Sequence, residues 1–127
     1  MAEAAKTLRV IAEYAGKRGL RVTVDEEKGT LIIEHGEYPL RIVVEPSGDG
    51  YVVELRSGDN MESVVEELLG EEVDPREELE GALESLVEVV DYAVRKLEEA
   101  GFQVSKKTRE AILDVYDAIE SFLEEEE

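Results

Sequence analysis

The chain has 127 residues, 33 of them Asp or Glu against 14 Lys or Arg, for a formal net charge of −19 at pH 7. It has no cysteine and one histidine, His35, which excludes a disulfide framework, a thiolate metal site, a cysteine nucleophile and any centre that needs two imidazoles. Hydrophobic residues make up 43 %, too many for a disordered acidic chain and enough for a core within one domain.

Residues 3–18 carry Ala4, Ala5, Leu8, Ile11, Ala12 and Ala15 at helical spacing, with Gly19 placed to take the left-handed position that ends the helix and Leu20 to fold back on it. A four-stranded meander is expected next. Leu20, Val22 and Val24 alternate with polar residues, and Glu26-Glu27-Lys28-Gly29 supplies the first turn. Leu31, Ile33 and His35 share one face of the second strand. Tyr38, Leu40, Ile42 and Val44 share that of the third, and Tyr51, Val53 and Leu55 that of the fourth. Pro46-Ser47-Gly48-Asp49-Gly50 is the loop between the last two. The opposite face is mostly charged, as an antiparallel sheet covered on one side requires, but Ile32, Val43 and Val52 form an apolar strip on it.

From residue 59 the period becomes helical. Asp59 with Glu62 has capping-box spacing, Met61, Val64, Val65, Leu68 and Leu69 form a stripe, and Gly70 closes that helix. Asp74-Pro75-Arg76-Glu77 opens a third helix running to Ala100, about 39 Å long at 1.5 Å per residue. Its Leu79, Leu83, Leu86, Val90, Ala93, Leu97 and Ala100 follow a heptad seam. Val87, Val89 and Val94 widen the apolar arc to about 160°, more than one neighbouring helix covers. Gly101-Phe102 stops it, and Ser105 is read as the cap of a fourth helix from Lys106 into the Glu124–Glu127 tail, forming an antiparallel helical hairpin. The fold expected is therefore α+β in a single domain, 1–127: an N-terminal helix, a four-stranded antiparallel meander and three further helices.

The charge divides unevenly. Residues 1–58 hold 10 acids and 8 bases, net −2, whereas residues 59–127 hold 23 acids and 6 bases, net −17. Such a field repels phosphate backbones and anionic headgroups, so neither nucleic acid nor membrane is an expected direct partner, and a basic protein is favoured. No apolar run has signal-peptide or membrane-spanning character, which makes a cytoplasmic protein the expectation. Asn60 and Gln103 are the only side-chain amides, a depletion that suits a thermophile protein or a designed one.

Acidic spacings are the only candidates for chemistry. Glu88-x-x-Asp91 and Asp114-x-x-Asp117-x-x-Glu120 are similar to the paired carboxylates with which bundle-type nucleotide pyrophosphohydrolases hold Mg²⁺. The helical wheel turns Glu88, Asp91 and Asp117 away from the apolar seams, so a solvated face is the expected reading. His35, near a strand end, is read as a hydrogen-bonded structural residue, and Gly48-Asp49-Gly50 lacks the helix and lysine of a phosphate cradle. No catalytic residue, metal ligand or cofactor is expected.

Surface-borne apolar residues remain. Val89 in the surplus arc, outward-facing Tyr92, and Leu113 with Tyr116 on the last helix mark one candidate contact surface. Ile32, Val43 and Val52 mark a second. The order of elements over about the first 70 residues is similar to that of small acidic type III secretion chaperones, although that family places a helix among its strands and residues 20–56 show none. The function expected is a non-catalytic protein-interaction module (adaptor, regulator or chaperone-like), with a homodimer through the heptad helix as one form of it. An acidic nucleic-acid mimic that occupies a basic protein is the alternative, and a Mg²⁺-dependent hydrolase ranks third.

Overall fold

The computed structural model describes residues 2–125. In chain order these form α1 (Ala2–Lys17), β1 (Arg21–Asp25), β2 (Thr30–Glu34), β3 (Leu40–Ser47), β4 (Gly50–Ser57), α2 (Met61–Gly70), α3 (Pro75–Glu99), β5 (Val104–Lys107) and α4 (Arg109–Glu125). The architecture is α+β, with four helices over a five-stranded mixed sheet.

The meander forms as its alternation and turns dictate. Strands β1 to β4 pair antiparallel in sequence order, with Val22 opposite Ile33, Ile33 opposite Ile42 and Ile42 opposite Leu55. Because residues opposite one another share a face, this register puts Leu31, Ile33, Leu40, Ile42, Val44, Tyr51, Val53 and Leu55 together, all buried. They join Leu8, Ile11 and Ala15 of α1, Met61, Val65 and Leu68 of α2, the α3 seam, and Ala111, Val115, Ala118 and Ile119 of α4 in one continuous core. All helical cover lies on that face.

The helix ends follow local chemistry. At the end of α1, Gly19 has φ 81°, and the amides of Gly19 and Leu20 donate to the carbonyls of Gly16 and Ala15 at 3.1 and 3.2 Å. The same pair of bonds ends α3, from Gly101 and Phe102 to Glu98 and Leu97. At the start of α3, Asp74 accepts the Arg76 amide at 3.0 Å and Pro75 fills the first helical position.

Three expectations need correction. First, the link after α3 holds a strand: Val104–Lys107 pairs parallel with β4, Val104 opposite Tyr51 and Lys107 opposite Glu54. Ser105 is therefore a strand residue. α4 starts at Arg109, with the Thr108 carbonyl accepting from Ile112. The interposed strand removes the direct hairpin, and α4 packs chiefly on α2 and β4. Second, the residue preceding α2 is Asn60 instead of Asp59, and its side chain makes no capping bond; Gly58 before it is still held at the sheet by its amide bond to the Pro39 carbonyl. Third, the loop expected over Pro46-Ser47-Gly48-Asp49-Gly50 is only the turn Gly48-Asp49, because Pro46 pairs with Tyr51 and Ser47 with Gly50. Helix α2 does end at Gly70, and the left-handed residue beyond it is Glu72, at φ 63°.

Helix α3 spans 25 residues, about 37 Å. Its wide apolar arc is consumed within the chain. Leu79, Leu83, Leu86, Val89, Val90, Ala93 and Leu97 are buried, and the helix touches α1, α2, α4, β3, β4 and β5. The heptad seam from Leu79 to Leu97 is thus an internal core feature, whereas Val87, Val94 and Ala100 at its margin are half-buried.

Candidate binding surfaces

The face of the sheet turned away from the helices is built from Arg21 and Thr23 on β1, Ile32 and Glu34 on β2, Arg41, Val43 and Glu45 on β3, Val52, Glu54 and Arg56 on β4, and Ser105 and Lys107 on β5, as the register requires. Ile32 lies opposite Val43, and Val43 opposite Glu54. None of Ile32, Val43 or Val52 belongs to the helix-side core. Val43 is nevertheless only 7 % exposed. The Arg56 guanidinium bonds Glu54, the residue opposite Val43, at 2.8 Å and stands 3.9 Å from Glu45, two residues along β3 from Val43. Ile32 and Val52 are half-buried. The sheet register brings these three candidate residues onto one face.

The helical candidates do not assemble. Val89 is fully buried and offers no surface. Tyr92 is half-buried against α1, where its ring lies 3.7 Å from that of Tyr14, the planes 4° apart. Arg18 stands 4.5 Å from the centre of the Tyr14 ring, and Arg95 and Lys96 each stand 5.5 Å from that of Tyr92. Tyr116 is half-buried and donates its hydroxyl to Glu80 at 3.0 Å; burial raises its pKa, and the carboxylate adds to that. Leu113 alone is exposed, at 48 %. Single exposed leucines are ordinary.

Three of the five carboxylates in the acidic motifs make contacts within the chain. Glu88 bonds Arg18 at 2.8 Å, Asp91 accepts from Lys106 at 2.6 Å and Asp114 from the Ser57 hydroxyl at 3.2 Å. Among the described residues no group of three or more His, Asp or Glu side chains is placed to hold a metal ion. His35 fastens the β2–β3 turn: its Nδ1 accepts the amides of Glu37 at 3.1 Å and Tyr38 at 3.3 Å, and its ring stacks on Tyr38. Burial lowers its pKa, with Glu37 partly opposing. The Tyr38 hydroxyl donates to Glu78 at 3.2 Å, and its pKa is pushed up to about 12 by burial, then by that bond and the surrounding carboxylates.

A groove of about 710 Å³ lies at the end of the sheet formed by the β1–β2 and β3–β4 turns. Its floor is Leu8, Val24, Pro46, Tyr51 and Phe102, with the last two rings edge to face at 5.1 Å. Val24 shares the covered face with Leu31 yet is 37 % exposed, because the helical layer stops short of it. Sequence reasoning missed this groove, since its walls come from four distant segments. The only local signals are Val24 and Phe102, apolar residues beside turns.

Among the described residues, no helix is long and apolar enough to cross a membrane. The chain matches no protein-family model, and comparison with curated proteins and with solved structures returns no significant match. What the geometry defines is a two-layer α+β scaffold with one bare sheet face and one apolar end groove.

Proposed function

We propose that the chain is a non-catalytic protein-interaction module whose contact surface is the bare face of its sheet. The observation that carries this reading is the apolar row of Ile32 and Val52, half-buried on the strands either side of the covered Val43, at the centre of a five-stranded surface with no helical cover. Around that row, Arg21, Arg41, Arg56 and Lys107 alternate with Asp25, Glu34, Glu45 and Glu54, so this face is close to neutral on a chain of net charge −19. The partner it fits is a flat protein surface with an apolar centre and both signs of charge at its rim. The nucleic-acid mimic draws less support. Of the acidic row Glu77, Glu80, Glu84, Glu88 and Asp91, the last two are held by the chain's own Arg18 and Lys106, and Glu80 by Tyr116.

A photo-crosslinking amino acid placed at position 32 or 52, with position 84 on the exposed side of α3 as the control, tests this in cells that produce the protein. The expected result is one dominant covalent adduct from 32 and 52, absent from 84 and lost when Val43 is changed to Lys in the same chain. An adduct of this chain with itself identifies the partner as a second copy. Equal adducts from all three positions, or none from 32 and 52, overturn the reading.

A further inference from the structure

We infer that the end groove is a second, separate binding site, which takes an extended basic peptide segment bearing bulky apolar side chains. Three observations carry it. The groove's 710 Å³ is within the roughly 300–1,000 Å³ of ligand sites, and its floor is apolar and aromatic. It is half open to solvent, so an extended chain can pass across it and bury alternate side chains. Its lining carries the carboxylates of Glu3, Glu26, Glu27 and Asp49 against one base, Lys28.

The charges decide the ligand's sign. Glu26 is engaged by Arg9 at 2.7 Å, whereas Glu3, Glu27 and Asp49 enter no ion pair among the described residues. The N-terminus of α1 contributes roughly half a positive charge at the rim, and Glu3 in its first turn faces that directly. Two carboxylates outside the helix, on a chain of net charge −19, still leave the rim negative. An anionic or purely polar ligand would lose on one count or both. A segment alternating Lys or Arg with Leu or Phe satisfies floor and rim together, its cations reaching Glu27 and Asp49 while its apolar groups meet Tyr51 and Phe102. The site shares no residue with the bare sheet face, so either assignment can fail while the other stands.

The test is a titration of the ¹⁵N,¹³C-labelled full chain, followed by NMR, with three synthetic peptides: Ac-Lys-Leu-Lys-Phe-Lys-NH₂, its Glu-for-Lys counterpart and its Ser-for-apolar counterpart. The first is expected to shift Leu8, Val24, Tyr51 and Phe102, with affinity falling as salt rises. The double variant Glu27→Lys/Asp49→Lys, altered only at exposed turn positions, is expected to bind it at least tenfold more weakly. Equal shifts from either counterpart peptide, or no shift of those four residues at millimolar peptide, overturn the site. Contacts from Met1 to Tyr51 and Phe102 in the free chain would overturn it too, since the chain's own first residue would then be the occupant.

Discussion

The main chain at Gln103 runs so close to Gly50 that its carbonyl stands where any side chain at position 50 would have to be. The same carbonyl accepts the Tyr51 amide at 2.8 Å and so begins the parallel pairing of β5 with β4. Glycine is required here by a close approach of two backbones, not by a positive φ. Gly50→Ala must push β5 away from β4 and is expected to cost about 3 kcal/mol, at the upper end of ordinary single substitutions. Gly81→Ala, on the open side of α3 with nothing near its absent Cβ, should instead stabilise by about 1 kcal/mol through helix propensity. Urea midpoints of the two variants measure both, and a Gly50→Ala chain as stable as the parent would remove the close approach.

Glu72 pays the strain that glycine avoids at the ends of α1 and α3. It holds φ 63° while its amide donates to Leu69 and that of Val73 to Leu68, the same pair of bonds that Gly19 and Gly101 support. The side chain is exposed and makes no ion pair among the described residues. Glu72→Gly is therefore expected to stabilise by about 0.5–1 kcal/mol despite loosening the unfolded chain, because relief of the left-handed strain exceeds that entropy. A raised thermal midpoint checks it, and a lowered one means the strain is smaller than the entropy.

Tyr14 and Tyr92 join α1 to α3 where the Arg18–Glu88 pair also crosses. The near-parallel rings with cations on both sides form one unit, so the two residues should be energetically coupled. A double-mutant cycle with Tyr14→Ala and Tyr92→Ala is expected to give a coupling of about 1 kcal/mol. Additive losses would mean that each ring contributes through burial alone.

The parts of this fold that sequence exposes are those set by neighbours in the chain. Gly19-Leu20 and Gly101-Phe102 encode their helix stops, Asp74-Pro75 a helix start, and the alternation in residues 20–55 a meander with the right face inward. What stayed hidden depends on partners far away. Val104-Ser105-Lys106-Lys107 has one apolar residue and becomes a strand only because β4 offers a free edge beside Gly50. The surplus arc of α3 pointed to two packing partners, but only the fold shows that α1, the sheet and the other helices supply them all. Val43 shows the same limit: its place on the outer face was legible, and its near-complete burial there was not.

His35 gives the β2–β3 turn a pH dependence of definite sign. Nδ1 can accept the Glu37 and Tyr38 amides only while it is unprotonated. Its folded pKa lies below the usual 6.5, so the clasp contributes fully above that value and is lost as pH falls through the folded pKa. His35→Ala is expected to cost about 1 kcal/mol at pH 7.5, as two partly exposed hydrogen bonds would. The gap between variant and parent should narrow towards pH 5. A gap that is constant across that window would show that the imidazole contributes only its stacking on Tyr38.

The acidic excess sets the response to salt. The ion pairs among the described residues lie at the surface; in the shortest, the Lys106 and Asp91 side chains remain 43 % and 57 % exposed. Exposed pairs contribute about 0–1 kcal/mol each, and several of these already engage the excess carboxylates. Against them stands the mutual repulsion of a chain with net charge −19, concentrated in residues 59–127. Raising NaCl from about 10 to about 100 mM shortens the screening length from about 30 to about 10 Å, which weakens long-range repulsion more than pairs in direct contact. The thermal midpoint is therefore expected to rise by about 3–5 °C, equivalent to about 1 kcal/mol for a domain of this size. Substituting exposed Glu84 by Lys should raise it at low salt and narrow the salt response. A midpoint that falls with added NaCl would mean that contact ion pairs outweigh the field, and the charge on α3 would then be a source of stability.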